Sequence, residues 1–383
     1  MPPAAPPLPV LILAAFLSGA GMRVADPLLA AIARDFAVTI SAAAATVAGF
    51  TFAYGLAQLV LGPVGDRFGK LRLIAVSMAL YGAATAAAAA APGLGSLVAL
   101  RCLAGAFAGG LIPVAIALIG DTTAYAERQA TLGRFMTGMV LANLVAAPVS
   151  GVAGDVVGWR PVFAALGLAA LAAAFPLGRA ARAIGPPPPH QGGSALARTL
   201  GILARPSARR LLVLAGIEGG VAFAAPPFIG AFLVEGYGLS YSSAGLVLGA
   251  AGVGALLYTR IAGRLVARFG ERGLLAGGGL GLVAWLASFA AAPPAPWLGA
   301  VSFLGGLSLV CFHGVLQARG SEMAPESRAT GMALFAFALF VGQGLGAALA
   351  GLALPVLGFR GLFAAASLVM AGLALAARFS PAR

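Results

Sequence analysis

Gly62-Pro-Val-Gly65-Asp66-Arg67-Phe-Gly69-Lys70-Leu-Arg72 places four charges within seven positions, in a chain where only 9% of residues are charged. Long apolar runs flank it on both sides. Charge spent this sparingly, and then concentrated, marks a tight polar turn between two segments that avoid water. What those segments are decides the reading of the rest.

Of the 383 residues, 61% are hydrophobic, whereas a soluble domain holds roughly 45–50% apolar and about 25% charged residues. A water-soluble fold cannot bury that much apolar surface. Runs of about 20 apolar residues read as membrane-spanning helices, and the sequence holds twelve, near 8–33, 41–64, 73–91, 95–119, 131–154, 161–178, 210–234, 241–262, 273–292, 296–317, 329–353 and 357–377. Short alternating segments of the β-barrel type are not the pattern. The expected fold is an all-α membrane protein with twelve transmembrane helices.

The formal net charge is +13, yet the basic residues are scattered through short loops rather than gathered into a nucleic-acid-binding face. All but Lys70 are arginines. Most fall in loops after spans 2, 4, 6, 8 and 10 and in the tail, while the opposite loops carry only Arg34, Arg160 and Arg360. Cytoplasmic loops carry the basic excess, so both termini are expected on the cytoplasmic side of an inner membrane. Residues 8–20 could pass for a signal-peptide core, but no basic residue precedes them and the apolar run continues past Ala31, which favours a first span. Cys102 and Cys311 fall within spans and suggest neither a disulfide framework nor a metal site.

Between spans 6 and 7 the pattern breaks. Arg179, Arg182, Pro186 to Pro189, His190, Arg198, Arg205, Arg209 and Arg210 read as a basic, Pro-rich cytoplasmic linker. The division is residues 1–181, a linker at 182–209, and residues 210–383. The two blocks echo each other: Trp159-Arg160-Pro-Val-Phe163-Ala-Ala matches Phe359-Arg360-Gly-Leu-Phe363-Ala-Ala, and Glu127-Arg128-Gln-Ala-Thr131 matches Glu326-Ser-Arg328-Ala-Thr330. The opening stretch recurs in weaker form from Gly263 through Arg268 to Gly270. Two pseudo-symmetric six-helix bundles of like orientation are a recurrent transporter plan, with the substrate site between them.

Gly62-x-x-x-Asp66-Arg67-x-Gly69-Lys70-x-Arg72 resembles the signature loop of the major facilitator superfamily, and the twelve spans, the central linker and Gly158-Trp159-Arg160 agree with it. The resemblance covers essentially the whole chain. It implies the two-bundle major facilitator fold, in which this loop latches the cytoplasmic side shut in the outward-facing state. On physical grounds alone, Gly65 and Gly69 permit a tight turn, Gly62 permits close helix approach, and Asp66 can face a helix N-terminus or an Arg across the interface. Lys70 and Arg72 would by themselves satisfy a simple positive-inside anchor; Asp66 is what that reading leaves over. The Gly69-Lys70 pair is not a phosphate-binding loop, since Val64 and Leu71 stand where Gly and Ser or Thr are needed.

Ionisable groups inside a span are costly and usually face a cavity or a partner. Five stand out: Arg23, Asp26, Arg101, Glu218 and His313. Asp26-Pro27 interrupts span 1, and Pro226-Pro227 interrupts span 7 at the equivalent place, which points to the moving helices beside a transporter's site. Arg23 and Asp26, three apart, can pair. Arg101 lies roughly 9 Å into span 4, with Asp26 as its expected neighbour. It resembles the embedded Arg of proton-coupled exporters, with Gly105 at the kept spacing but Ala104 in place of Gln. Glu218 in an apolar setting is the first choice for loading and unloading a proton, and His313 is a second titratable candidate. In span 5, Pro148, Gly151 and Gly154 fit the antiporter signature, whereas Asn143 and Ala147 depart from it; Asn143 can instead hydrogen-bond in the cavity. Gly105/Gly109, Gly245/Gly249 and Gly342/Gly346 have close-packing spacing. Tyr54, Gln58, Gln317 and Gln343 suit the cavity wall or single interhelical hydrogen bonds.

The expected function is secondary transport, by alternating access, of a small amphipathic organic solute. Apolar walls with few polar groups suit such cargo better than sugars. Proton-coupled efflux, of the drug/proton-antiporter or sugar-efflux type, leads; metabolite uptake or facilitated diffusion is the alternative, and a non-transporting membrane sensor is a third. A polytopic enzyme lacks the groups it would need, with two histidines in the chain. The expected partners are the solute and the lipid bilayer, with no nucleic acid, no metal and no cofactor beyond an ion gradient, and the expected state is a monomer.

Overall fold

A computed structural model describes residues 8–184 and 195–378. They form twelve traverses: α1 (Leu8–Arg23, resuming at Leu29–Asp35), α2 (Ile40–Phe68), α3 (Lys70–Ala88), α4 (Leu94–Thr122), α5 (Tyr125–Val157) and α6 (Trp159–Ile184), then α7 (Pro206–Glu235), α8 (241–269), α9 (271–291), α10 (Leu298–Ser321), α11 (328–357) and α12 (359–378). Nine helices among the described residues are long and apolar enough to cross a membrane, two of them double traverses that turn at Gly270 and Gly358. The described residues are otherwise turns and short helices, with no strand among them. This is a multi-pass, all-helical membrane fold of two six-helix bundles.

Six traverses return each half to the face it started from. The described ends at Leu8 and Arg378, and the chain flanking residues 185–194, therefore share one face, called here the linker face; the opposite one is the far face. Helix 6 reaches Ile184, a short helix occupies Ala195–Leu203, and α7 opens at Pro206, so the stretch from 182 to 209 carries more helix than a Pro-rich linker suggested. Pro186 to Pro189 and His190 lie outside the described residues, as do the first seven and last five residues.

Small residues set the packing. Within the first half, an added Cβ at Gly105 would lie 2.1 Å from the Phe50 carbonyl oxygen, so α4 rides directly on the α2 backbone. Between halves, α5 meets α8 where Gly245 and Gly249 press on Ala147 and Pro148, and α2 meets α11 where Gly55 abuts Val341. Such approach maximises dispersion contact where lipid offers no hydrophobic drive. The two halves touch closely from mid-helix to the far face, where Gly151 lies against Tyr241 and Gly351 against Ser41. Toward the linker face, Gly62, Gly133 and Gly263 border open space. The halves are closed on each other at the far face.

Four helices are interrupted, α2 at Ala44 and α4 at Gly109–Gly110 only briefly, α1 and α7 over longer stretches. Residues 24–28 interrupt α1 around Pro27, which has no N–H to continue the ladder. In α7 the irregularity is a π-helical turn at Gly219–Phe223, one turn before the prolines expected to mark it. Pro226 and Pro227 instead open the regular segment Ala225–Glu235, where a missing N–H costs nothing.

Candidate functional site

The break in α1 leaves carbonyls without helical partners, and Arg101 fills the role. Both terminal guanidinium nitrogens of Arg101 donate to the Gly21 carbonyl oxygen at 3.1 Å, and Nε donates to that of Thr46 at 3.4 Å. The guanidinium also stacks on the Phe50 ring at 4.0 Å, and the residue is 1% exposed. Asp26 lies close enough to Arg101 to interact with it electrostatically, as expected of a neighbour, but the hydrogen bonds of Arg101 go to backbone oxygens, one at the α1 break and one on α2. Asp26, also buried, pairs with Arg23 at 3.5 Å. Arg23 Nε donates to Asn143 Oδ1 at 3.1 Å, tying α1 to α5. Arg23, Asp26 and Asn143 thus form one cluster, with Arg101 stacked beside it.

The second cluster lies in the other half. Glu218, fully buried, places Oε2 3.1 Å from Nδ1 of His313. Sequence reasoning had chosen both residues separately; the fold joins α7 and α10 through them. The other carboxylate oxygen, Oε1, has no hydrogen-bond partner among the described residues. The imidazole sits against the rings of Phe223 and Phe335, at 5.1 and 5.9 Å, and is 18% exposed on its side chain. Glu218 immediately precedes the π turn, and Gln343 of α11 donates to the Phe223 carbonyl at 3.1 Å. A buried carboxyl set against an imidazole on a neighbouring helix is an arrangement that suits proton transfer between them.

At the turn that opened the reading, Lys70 binds Asp66 at 3.1 Å and also Asp121, all within the first half. Arg67 lies over Phe68 and Arg72 is exposed. In the second copy Arg268 lies over Phe269, and Gly270 makes the turn with φ +62°. On the far face, Arg34 binds Glu235 at 2.8 Å and reaches the Tyr241 hydroxyl at 3.3 Å, spanning the halves; sequence reasoning had not paired them. The Glu235 carboxylate holds the Arg34 guanidinium even more firmly protonated than usual. A separate apolar groove of about 620 Å³ opens between α7, α11 and α12, floored by Gly216, Gly220 and Gly342.

The expected packing glycines and interhelical polar contacts also appear. Gln58 donates to the Gly109 carbonyl at 2.7 Å, and Tyr54 stands edge-on to Phe340 of the other half at 4.6 Å. Cys102 and Cys311 are free thiols.

Comparison with known proteins follows the same line. The model of the Major Facilitator Superfamily matches residues 11–330 and 211–383. The chain is 34% identical over 108 residues to the puromycin resistance protein pur8 of Streptomyces alboniger, covering 27% of this chain and 21% of that one. It is 32% identical over 163 residues to the putative uncharacterized transporter YgaY of Escherichia coli (strain K12), covering 41% and 40% respectively. The alignments therefore span between about a fifth and two fifths of those relatives. Among solved structures, a bacterial homolog of the human lysosomal transporter Spinster, inward-facing and occupied, aligns with TM-score 0.75 at 18% identity, over 97% of this chain and 94% of that one. A peptide transporter POT in complex with sulfate aligns with TM-score 0.77 at 15% identity, over 96% and 92%.

Proposed function

Because the chain belongs to the Major Facilitator Superfamily, we propose that it is a proton-coupled exporter of a small amphipathic organic solute, working by alternating access in an inner membrane. In this reading the linker face is cytoplasmic, as the Arg-rich loops support, and the closed far face is the outer one. Solute enters between the halves from that side, and rocking of the halves exposes it on the far side.

The observation that carries the coupling is the Glu218–His313 pair. Its carboxylate is wholly buried, it touches one titratable partner, and it sits where α7 changes its helical pitch. A proton on the carboxyl removes a buried charge. Its departure leaves a buried carboxylate whose facing group is the His313 imidazole. Charge state and the geometry of α7 are thereby linked, which is what a coupling site needs. Arg101, buried among carbonyls and aromatic rings, serves the other half as a fixed positive centre that helps hold the α1 break in place.

The printed name of one relative makes puromycin the first solute to try. Purified protein in liposomes under an imposed pH gradient is tested against puromycin and a panel of dyes, sugars, amino acids and organic acids. The proposal expects uphill movement of an amphipathic solute driven by the gradient. Transport equally fast without the gradient would favour facilitated diffusion, and binding without flux would favour a sensor.

A further inference from the structure

The far-face turn between α5 and α6 reads Gly151-x-x-Gly154-Asp155-x-x-Gly158, the same spacing as Gly62-x-x-Gly65-Asp66-x-x-Gly69 between α2 and α3. Both turns close through a glycine of positive φ, +96° at Gly69 and +80° at Gly158, a region that residues with a Cβ seldom adopt. The first turn lies on the linker face and the second on the far face, because α5 crosses in the sense opposite to α2. The chain therefore carries the signature twice in its first half, in inverted topology.

The second copy is engaged. Asp155 of the first half accepts the Tyr241 N–H at 3.0 Å on Oδ1 and the Ser242 N–H at 2.7 Å on Oδ2, and the Ser242 hydroxyl donates to the same Oδ2. Tyr241 and Ser242 are the first residues of α8, in the other half, behind the N-cap Ser240. Amides of a helix's first turn have no acceptor within their own helix, and the helix dipole favours a carboxylate there. Gly151, one turn before Asp155, lets α5 approach the Tyr241 carbonyl.

We propose that Asp155 is a positioning residue of the transport cycle: it holds the far face shut by capping α8 across the interface, and it must let go for that face to open. The inference rests on the alternating-access reading. Asp155 is exposed, so water takes over its bonds and those of the α8 amides once they part. Such a contact is strong enough to bias the two states and weak enough to be broken in each turnover.

The test uses the full chain in liposomes, with Cys102 and Cys311 replaced and spin labels on exposed positions. One pair, at Val156 and Trp297, reports the far face, and another, at Arg179 and Phe269, reports the linker face. Distances between labels are read by pulsed double electron–electron resonance. Asp155→Asn is expected to raise the population with a long far-face and short linker-face distance by roughly ten-fold, the effect of weakening a charge-assisted hydrogen bond. Tyr241→Pro should act alike, because it deletes the donor N–H at the first helical position after an extended Ser240, where proline is tolerated. Tyr241→Ala keeps that N–H but loses the hydroxyl that meets Arg34, so it sets the baseline, and Tyr241→Pro should shift the ratio several-fold beyond it.

Asp66→Asn serves as the control for alternation and should move the ratio the other way. If it does so while Asp155→Asn and Tyr241→Pro leave the ratio unchanged, the proposal is overturned and the transport reading stands. A far-face distance that lengthens alone, without the reciprocal change, would mark mere fraying and also overturn it. If no variant produces reciprocal changes, the alternating-access reading falls first.

Discussion

Both terminal nitrogens of Arg101 converge on the Gly21 carbonyl oxygen, each at 3.1 Å, so a cation on α4 closes the gap in the α1 ladder. Charge alone would not do this; a planar fork is required. Arg101→Lys keeps the charge and loses the fork and most of the stacking on Phe50. Loss of those contacts should cost about 2 kcal/mol, a fall of roughly 4–8 °C in the thermal unfolding midpoint for a unit of this size. Fluorescence-monitored melting in detergent checks it. A Lys variant that melts with the wild type would show that charge, not shape, is what the site needs.

Asp26 has a direct cationic partner, and Glu218 has only an imidazole. Asp26→Asn should therefore slow turnover, by about a hundred-fold if loss of one partner of a buried pair costs about 3 kcal/mol, while transport keeps its dependence on the pH gradient. Asn143→Ala, which removes the acceptor for Arg23 Nε, should behave in the same way. Initial rates at two external pH values separate this outcome from a coupling defect.

Lys70 is held by Asp66 and Asp121, both on its own half. If Asp66 helps to close the linker face, Asp66→Asn should favour the form with that face open. A cysteine at Gly62, which borders open space, would then react several-fold faster with a membrane-impermeant maleimide added from the linker side, about 1 kcal/mol of shifted balance. An unchanged rate would remove the latch role.

The seam between α7 and α11 leaves no room for a methyl group: a Cβ on Gly342 would lie 2.0 Å from the Gly216 carbonyl oxygen. Gly342→Ala should destabilise the protein by roughly 1–3 kcal/mol and disturb the hydrogen bond from Gln343 to Phe223 next to it. A melting curve and a flux assay on one preparation report both effects. Normal melting with normal flux would mean that the seam relaxes at little cost.

Much of the fold was legible in the sequence because membrane spans announce themselves by apolar length, and no partner is needed to recognise one. The turn at 62–72 and its weaker echo at 263–270 fixed the two-half plan for the same reason: polar residues in such a chain have few places to be. Partnerships were less legible. Asp26 was expected beside Arg101 and interacts with it electrostatically, but the hydrogen bond to the Gly21 carbonyl was not legible, because it depends on where the α1 ladder stops. Glu218 and His313 were both found by the cost of charge in lipid, yet nothing local says that α10 brings one to the other. The π turn at 219–223 likewise emerges from packing against α11. Asp155 was missed although its spacing repeats that of Asp66, because it lies at the end of a span rather than inside one.

The central claim is that Glu218, with His313, carries the coupling proton. The direct measurement is solute-driven proton movement in proteoliposomes holding a pH-sensitive dye, with puromycin or the panel member that binds most tightly. Wild type should produce a pH change when a solute gradient is imposed. Glu218→Gln should produce none while still exchanging labelled for unlabelled solute across the membrane. A Glu218→Gln protein that moves protons as the wild type does would contradict the account.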